Sequence, residues 1–435
     1  MKKRIAIITF ILFTLFVNSQ SMYFPPNSGT TWESTTPESL NICQRKIDSL
    51  YNFLDSNNSK AFILLKDGKI VLEKYFGTHT ATSNWYWASA GKTITSLMVG
   101  IAQQEQLLNI NDLTSEYLGK GWTNASVAQE DLITIKNQLS MTSGLDDAVS
   151  DPYCTLNTCL LYKANAGSRW AYHNGPYTLL DQVIENATGL SYNNYVTAKL
   201  KTKTGMTGAF VQTGSNNVFY SNARSMARFG LLILNQGNWN GDQVITDSNY
   251  FYQMTHPSQN INKSYGYLWW LNGYESYMVP QTQFVFNGML APNAPTDMIC
   301  ALGKNGQFIN VVPSQNLVWL RMGDSPNGDE VPFELNDKIW TYINAFNCNA
   351  LSTAKLNSSS NHFLILPNPA NDSITLRSDH KLGNIAIFNL NGQKVYAAEE
   401  INNEALINVS LLTKGVYIVK VTNDKNVFTS KFVKQ

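Results

Sequence analysis

A polar break late in this 435-residue chain constrains its fold more than any other feature. Residues 351–361 carry the run Ser358-Ser359-Ser360 among asparagine, threonine and lysine, with Leu351, Ala354 and Leu356 the only apolar side chains. Such a stretch has too little apolar surface to enter a core, so it reads as a linker. The chain therefore divides into a long segment, 21–350, and a short one, 362–435. The short segment alternates apolar and polar residues, with turn signals at Asn371-Asp372, Asn391-Gly392 and Lys414-Gly415. That pattern predicts a small β-sandwich.

The N-terminus constrains the compartment. Met1-Lys2-Lys3-Arg4 is basic, residues 5–16 are apolar and uncharged, and small or polar residues follow from Asn18 to Ser21. This is the layout of a signal peptide over 1–20, too short to span a bilayer, and no cysteine offers a lipid anchor there. No later segment reaches transmembrane length, so the mature protein is expected outside the cytoplasm with no membrane span. In that setting Cys154 and Cys159, within Asp151-Pro152-Tyr153-Cys154-Thr155-Leu156-Asn157-Thr158-Cys159, are expected to close a small ring. A bridge between Cys43 and Cys348 is open as well, leaving Cys300 as the odd thiol in a strand.

Lysine plus arginine (32) nearly balance aspartate plus glutamate (31), and this near-neutrality gives no electrostatic case for nucleic acid as a partner. The histidines at 79, 173, 256, 362 and 380 show no metal spacing and no pairing with an acid, so no metal and no cofactor is expected. Asp146-Asp147 reads as a pair of solvated loop acids.

Within the long segment, helical spacing appears over 41–54 and 93–107, and again over 174–188, 191–200 and 221–234. Residues 61–76 form two apolar runs joined by Lys66-Asp67-Gly68-Lys69, a hairpin signal. Strand-like runs return at 296–302, 307–312 and 317–322. Strands at both ends with helices between them predict an α+β fold: one antiparallel sheet flanked by helices, with a helical region between.

Chemistry concentrates at Ser89-Ala90-Gly91-Lys92, directly before the helix expected over 93–107. Residues three apart share a helical face, so the Lys92 nitrogen falls near the Ser89 oxygen. A desolvated lysine can give up its proton and then take one from the serine, leaving an activated nucleophile. The bare pattern is common; it recurs at Ser352-Thr353-Ala354-Lys355 in the linker and at Ser378-Asp379-His380-Lys381 in the β-domain, where it has no such context.

Two further segments add context. One is Leu139-Ser140-Met141-Thr142-Ser143-Gly144-Leu145; the other is Ser168-Arg169-Trp170-Ala171-Tyr172-His173-Asn174. With Ser89-Ala90-Gly91-Lys92 they resemble, in order and spacing, the serine β-lactamase and penicillin-binding-protein superfamily, in particular its class C β-lactamase-like and esterase branch. The resemblance covers roughly residues 23–347. It implies Ser89 as the acylated nucleophile, Lys92 as its proton partner, Tyr172 as the proton shuttle to the leaving group, and Asn174 as a hydrogen-bonding contact to substrate or lysine. Three other Tyr-x-Asn triplets, beginning at Tyr192, Tyr220 and Tyr342, fall at or inside helical patterns and read as ordinary helix residues.

The superfamily places a Lys-Thr-Gly or histidine variant on a strand beside the serine. Here the matching strand reads Cys300-Ala301-Leu302-Gly303-Lys304-Asn305-Gly306, with Ala301-Leu302-Gly303 in the triplet's place and Lys304-Asn305-Gly306 as the shifted register. Gly303 and Lys304 thus become expected substrate-binding positions, a backbone amide of the strand serving an oxyanion and Lys304, if turned inward, supplying the cation for a substrate carboxylate. Without a side-chain cation or hydroxyl in the simpler register, the resemblance favours ester or unusual amide hydrolysis, as in the branch that includes aminohexanoate-oligomer hydrolases. A β-lactamase or D-Ala-D-Ala carboxypeptidase, and a catalytically silent surface binding protein, are the alternatives. The substrate is expected to be small or peptide-like, selected by loops such as 146–165 and the aromatic stretch 265–277.

The C-terminal segment has its own resemblance, carried by Leu366-Pro367-Asn368-Pro369-Ala370, by Phe388-Asn389-Leu390-Asn391-Gly392-Gln393-Lys394-Val395 and by Gly415-Val416-Tyr417-Ile418-Val419-Lys420-Val421. It resembles the sorting domain of type IX secretion substrates. This implies the type IX machinery as a partner and a secreted or cell-surface location.

Overall fold

The computed structural model describes residues 22–326, 328, 331–347, 363–390, 392–423 and 426–435. The expected signal peptide (1–20), the linker (351–361) and Cys348 lie outside the described residues. Helix α1 (Gln44–Ser56) buries Ile47, Leu50 and Leu54 along one face, spaced three and four apart. It leads into β1 (Ser59–Lys66), which pairs antiparallel with β2 (Lys69–Tyr75). Asp67 and Gly68 turn between them with φ of 50° and 81°, the two left-handed residues that a tight hairpin turn demands.

A central helix, α2 (Lys92–Gln104), is buried from Lys92 to Ala102. Helix α3 (Ala223–Leu234) starts where the Asn222 side chain accepts a hydrogen bond from Ser225 N, an N-cap that satisfies an otherwise orphaned donor. The sheet is completed by β3 (Trp270–Leu271), β4 (Ile299–Gly303), β5 (Gln307–Val312) and β6 (Leu317–Gly323). Its order is β2-β1-β6-β5-β4-β3, antiparallel throughout. The central strands β5 and β6 are buried almost end to end, because helices cover both faces. On one face α3 packs so closely that a Cβ on Gly230 would lie 2.6 Å from Val318 Cγ1. On the other, α1 meets α4 (Phe333–Asn344), and Trp340 packs edge-on against Trp319 of β6.

Between α2 and α3 lies the helical region. It contains Thr114–Leu118, Val127–Glu130, Ile135–Leu139, Asn174–Thr178 and Leu180–Thr188, with a satellite core of Trp122, Ile133, Leu145 and Leu160. The α+β architecture expected from the sequence is the one observed. One detail differs: Tyr220 sits on a strand, Asn216–Ser221, rather than in a helical pattern, and Asn222 is the cap of α3. Cys154 and Cys159 are bonded to each other, and Cys300 is a free thiol buried in β4.

The C-terminal segment folds into two sheets, one of three strands and one of four, around Ile374, Leu376, Ile387, Val419 and Phe432. This is the expected small β-sandwich. No helix among the described residues is long and apolar enough to cross a membrane.

Candidate active site

The serine turn is built on a buried tryptophan. Trp87 is fully enclosed, donates from Nε1 to Ser221 Oγ at 2.8 Å, and packs edge-on against Phe219 at 4.9 Å. Its backbone N–H also bonds Phe219 O at 2.8 Å. With Trp87 fixed, the chain reverses through Ala88 at φ 47°, a left-handed conformation that costs an alanine ~1–2 kcal/mol. A single 3-10 turn, Ala88–Gly91, then feeds α2. The result holds Ser89 half-buried at the head of a helix.

Lys92 Nζ lies 3.1 Å from Ser89 Oγ. The lysine is only 3% exposed and makes no ion pair among the described residues. Its ammonium instead lies 4.3 Å above the Tyr177 ring and 5.3 Å from the Tyr172 ring. Burial lowers the Lys92 pKa to about 7, and the Asp181 carboxyl pulls weakly in the opposite direction. Near neutral pH this amine can therefore exist without its proton. Asp181 is itself buried; its Oδ2 accepts from Asn217 Nδ2 at 2.7 Å, while Oδ1 has no hydrogen-bond partner among the described residues.

Tyr172 is carried by the segment entering the helix Asn174–Thr178. It stacks on Trp270 at 5.9 Å and meets Tyr265 edge-on at 6.2 Å. Burial raises its phenol well above the usual range, with the Ser89 hydroxyl pulling the other way, so Tyr172 keeps its proton at neutral pH. Asn174 is 9% exposed, and its Oδ1 has no hydrogen-bond partner among the described residues. A buried acceptor left open beside a nucleophile is suited to a donor on a bound molecule. His173, between them, is buried and does not line the cavity; burial lowers its pKa to about 4.

Strand β4 ends against the serine turn. A Cβ on Gly303 would lie 2.5 Å from Trp87 O and 3.0 Å from Ala90 N, so only glycine lets the two backbones approach this closely. The strand triplet is Ala301-Leu302-Gly303; Lys304 starts the following turn and faces the cavity.

The cavity has a volume of about 420 Å³. Ser89, Tyr172, Asn174 and Lys304 line it together with Asp147, Arg169, Pro152, Tyr153 and residues 280–283. Lys92 lies beneath Ser89 and Gly303 lies behind the turn, both outside the lining. Asp147 is not the solvated loop acid expected: it pairs with Arg169 at 2.5 Å in the cavity wall. The stretch 265–277 also differs from expectation. Tyr265 and Trp270 are buried behind Tyr172, while residues 280–283 form the wall. A second concavity, of about 430 Å³, is lined by Asp48, Asp55 and Lys74 and holds no nucleophile. Among the described residues no group of histidine, cysteine and acid side chains is arranged to hold a metal.

Fold and site together define a class, the penicillin-binding and β-lactamase-like proteins. The chain belongs to the Beta-lactamase family, which residues 58–340 match. Residues 364–435 match the Secretion system C-terminal sorting domain family, which routes its carriers by type IX secretion to the cell surface or beyond. An uncharacterized protein of Alkalihalophilus pseudofirmus is 24% identical over 309 residues, covering 62% of this chain and 85% of that one. Two solved structures share the fold. One, from Bacillus anthracis, is provisionally named a 6-aminohexanoate-dimer hydrolase, with TM-score 0.55, 19% identity, and coverage of 74% of this chain and 89% of that one. The other is a family VIII carboxylesterase, with TM-score 0.52, 14% identity, and coverage of 70% and 98%.

Proposed function

We propose that this chain is an exported serine hydrolase that cleaves an ester or amide bond through an acyl-Ser89 intermediate. The observation that carries the reading is the 3.1 Å approach of Lys92 Nζ to Ser89 Oγ in a site where burial brings the lysine to about 7. Neutral Lys92 takes the Ser89 proton, and Oγ attacks the substrate carbonyl. Backbone amides at Ser89 and at the Gly303–Lys304 step stabilise the tetrahedral oxyanion. The carbon–oxygen or carbon–nitrogen bond then breaks, and Tyr172 delivers a proton to the departing group, replacing its own from Lys92. Water, deprotonated through the same groups, attacks the acyl carbon and frees Ser89.

Asn174 Oδ1 is proposed to accept a hydrogen bond from the substrate. In this reading residues 1–20 direct export, 21–350 carry the chemistry, 351–361 connect, and 362–435 engage the type IX machinery. Structures bearing hydrolase and esterase names support an ester or amide substrate by fold alone. A second reading, β-lactamase or D-Ala-D-Ala carboxypeptidase, draws support from Lys304 at the cavity wall, where a cation can meet a substrate carboxylate.

A fluorophosphonate probe and a fluorescent penicillin, applied separately to the purified protein, test the reading. Label on Ser89 from the phosphonate alone is expected. Label from penicillin as well favours the second reading, and no label from either reagent leaves only a silent binding protein.

A further inference from the structure

The turn between β4 and β5 is held by three separate devices, and one of them reaches across to the serine segment. Asn305 Nδ2 donates to the Tyr86 hydroxyl oxygen at 2.6 Å, joining residues 219 apart in sequence. Tyr86 precedes Trp87 directly and lies three residues before Ser89. It belongs to the two-residue strand Trp85–Tyr86, which pairs with Asn216–Ser221. Asn305 occupies the left-handed region at φ 62° and Gly306 follows at 81°. Asparagine tolerates that backbone better than other side-chain-bearing residues, and here its amide is used as well.

The other two devices act within the sheet. Arg321 on β6 is fully buried and makes no ion pair among the described residues. Its guanidinium donates to the carbonyls of Asn305 (3.1 Å), Gly306 (2.7 Å), Asn57 (2.6 Å) and Asp324 (2.9 Å), and to Ser59 Oγ (2.8 Å). Gln307 donates from Nε2 to Lys304 O at 3.1 Å and to Gly323 O at 2.6 Å. Arg321 and Gln307 fix the turn to its own sheet. Neither fixes its distance from Ser89.

We propose that the Tyr86–Asn305 hydrogen bond is a positioning clamp that sets the backbone of Gly303 and Lys304 against the Ser89 turn for oxyanion stabilisation. The proposal rests on the acyl-serine reading above. Its physical basis is the narrow tolerance of oxyanion donors: about half an ångström of displacement removes much of their benefit. A Cβ on Gly303 would clash with Trp87 O and Ala90 N, so the strand already lies close to the serine turn, and what a clamp must resist is movement away from it. The hydrogen bond from Asn305 to Tyr86 opposes that movement. Tyr86 and Asn305 are positioning residues, since neither lines the cavity.

Tyr86→Phe removes the acceptor oxygen and keeps the ring. With p-nitrophenyl acetate as probe, kcat is expected to fall ~5- to 30-fold, a loss below that of deleting an oxyanion donor outright, with KM within about twofold and melting temperature unchanged. Affinity for phenylboronic acid, whose serine adduct is tetrahedral and anionic, should fall by the same factor as kcat/KM. Asn305→Asp keeps a bond, because the tyrosine hydroxyl can donate to the new carboxylate, and should retain most activity. The double variant should behave like Tyr86→Phe. Fluorophosphonate labelling of the wild type on Ser89 separates the two claims. An unlabelled wild type overturns the acyl-serine reading and the clamp with it. A labelled wild type whose Tyr86→Phe variant keeps full kcat and boronate affinity overturns the clamp alone, as does a loss of melting temperature that accounts for the loss of rate.

Discussion

Lys92 Nζ stands 3.1 Å from Ser89 Oγ, one helical turn away, with no carboxylate paired to it among the described residues. Burial costs the charged amine more than the nearby rings and the Asp181 carboxyl return, and that is why it can act as a base near neutral pH. Replacing it with alanine should lower turnover of a p-nitrophenyl ester by ~100-fold or more, the scale of a positioned proton-transfer group. Lys92→Arg should be equally poor, because a guanidinium does not deprotonate. Near-normal steady-state rates in either variant would remove Lys92 from the mechanism.

The pH profile follows from the same burial. Lys92 must lose its proton to act, and burial brings it down from 10.5 to about 7. Values of kcat/KM should rise about tenfold per pH unit below that point and level off above it. A profile flat from pH 5 to pH 8 contradicts the assignment.

Burial keeps the Tyr172 phenol protonated. Tyr172→Phe should keep the stack on Trp270 yet lower turnover by ~100-fold, since only the proton path is cut. Rapid-quench kinetics locate the defect. Release of the leaving group should slow, whereas a variant that only slows deacylation contradicts the shuttle role.

Asp181 makes a prediction about stability. Burial raises its carboxyl from 3.8 to about 8, with Asn217 and Lys92 pulling the other way. Its contribution to stability is therefore complete below 3.8 and is lost as pH rises through about 8, because the unfolded chain ionises first. Asp181→Asn keeps an acceptor for Asn217 and removes the ionisation. The variant should melt several degrees above the parent at pH 8 and converge with it near pH 4. A difference that does not change with pH contradicts this account.

Local chemistry is what the sequence makes visible. The turn Asp67-Gly68, the helix after Ser89 and the strands at 299–323 carry turn residues or apolar runs that specify them without distant partners. Spacing alone brings Ser89 and Lys92 onto one helical turn, while the roles expected of Tyr172 and Asn174 rest on the family resemblance. Relations across the fold leave no such trace. The contact between Tyr86 and Asn305 spans 219 residues, and nothing in either segment announces the other. Asp147 reads as a loop acid until Arg169, 22 residues on, is folded beside it. The aromatic stretch at 265–277 is rich enough to suggest a cavity wall, yet Tyr265 and Trp270 pack against Tyr172 instead. The hydrogen bond from Asn217 to Asp181 likewise joins residues 36 apart.

The central claim is that Ser89 becomes acylated, and mass spectrometry of the fluorophosphonate-treated protein tests it most directly. The account predicts one added phosphonate, located by peptide mapping on Ser89 and absent from the Ser89→Ala variant. Label on any other residue, or an unmodified mass under conditions that label a control serine hydrolase, would contradict it.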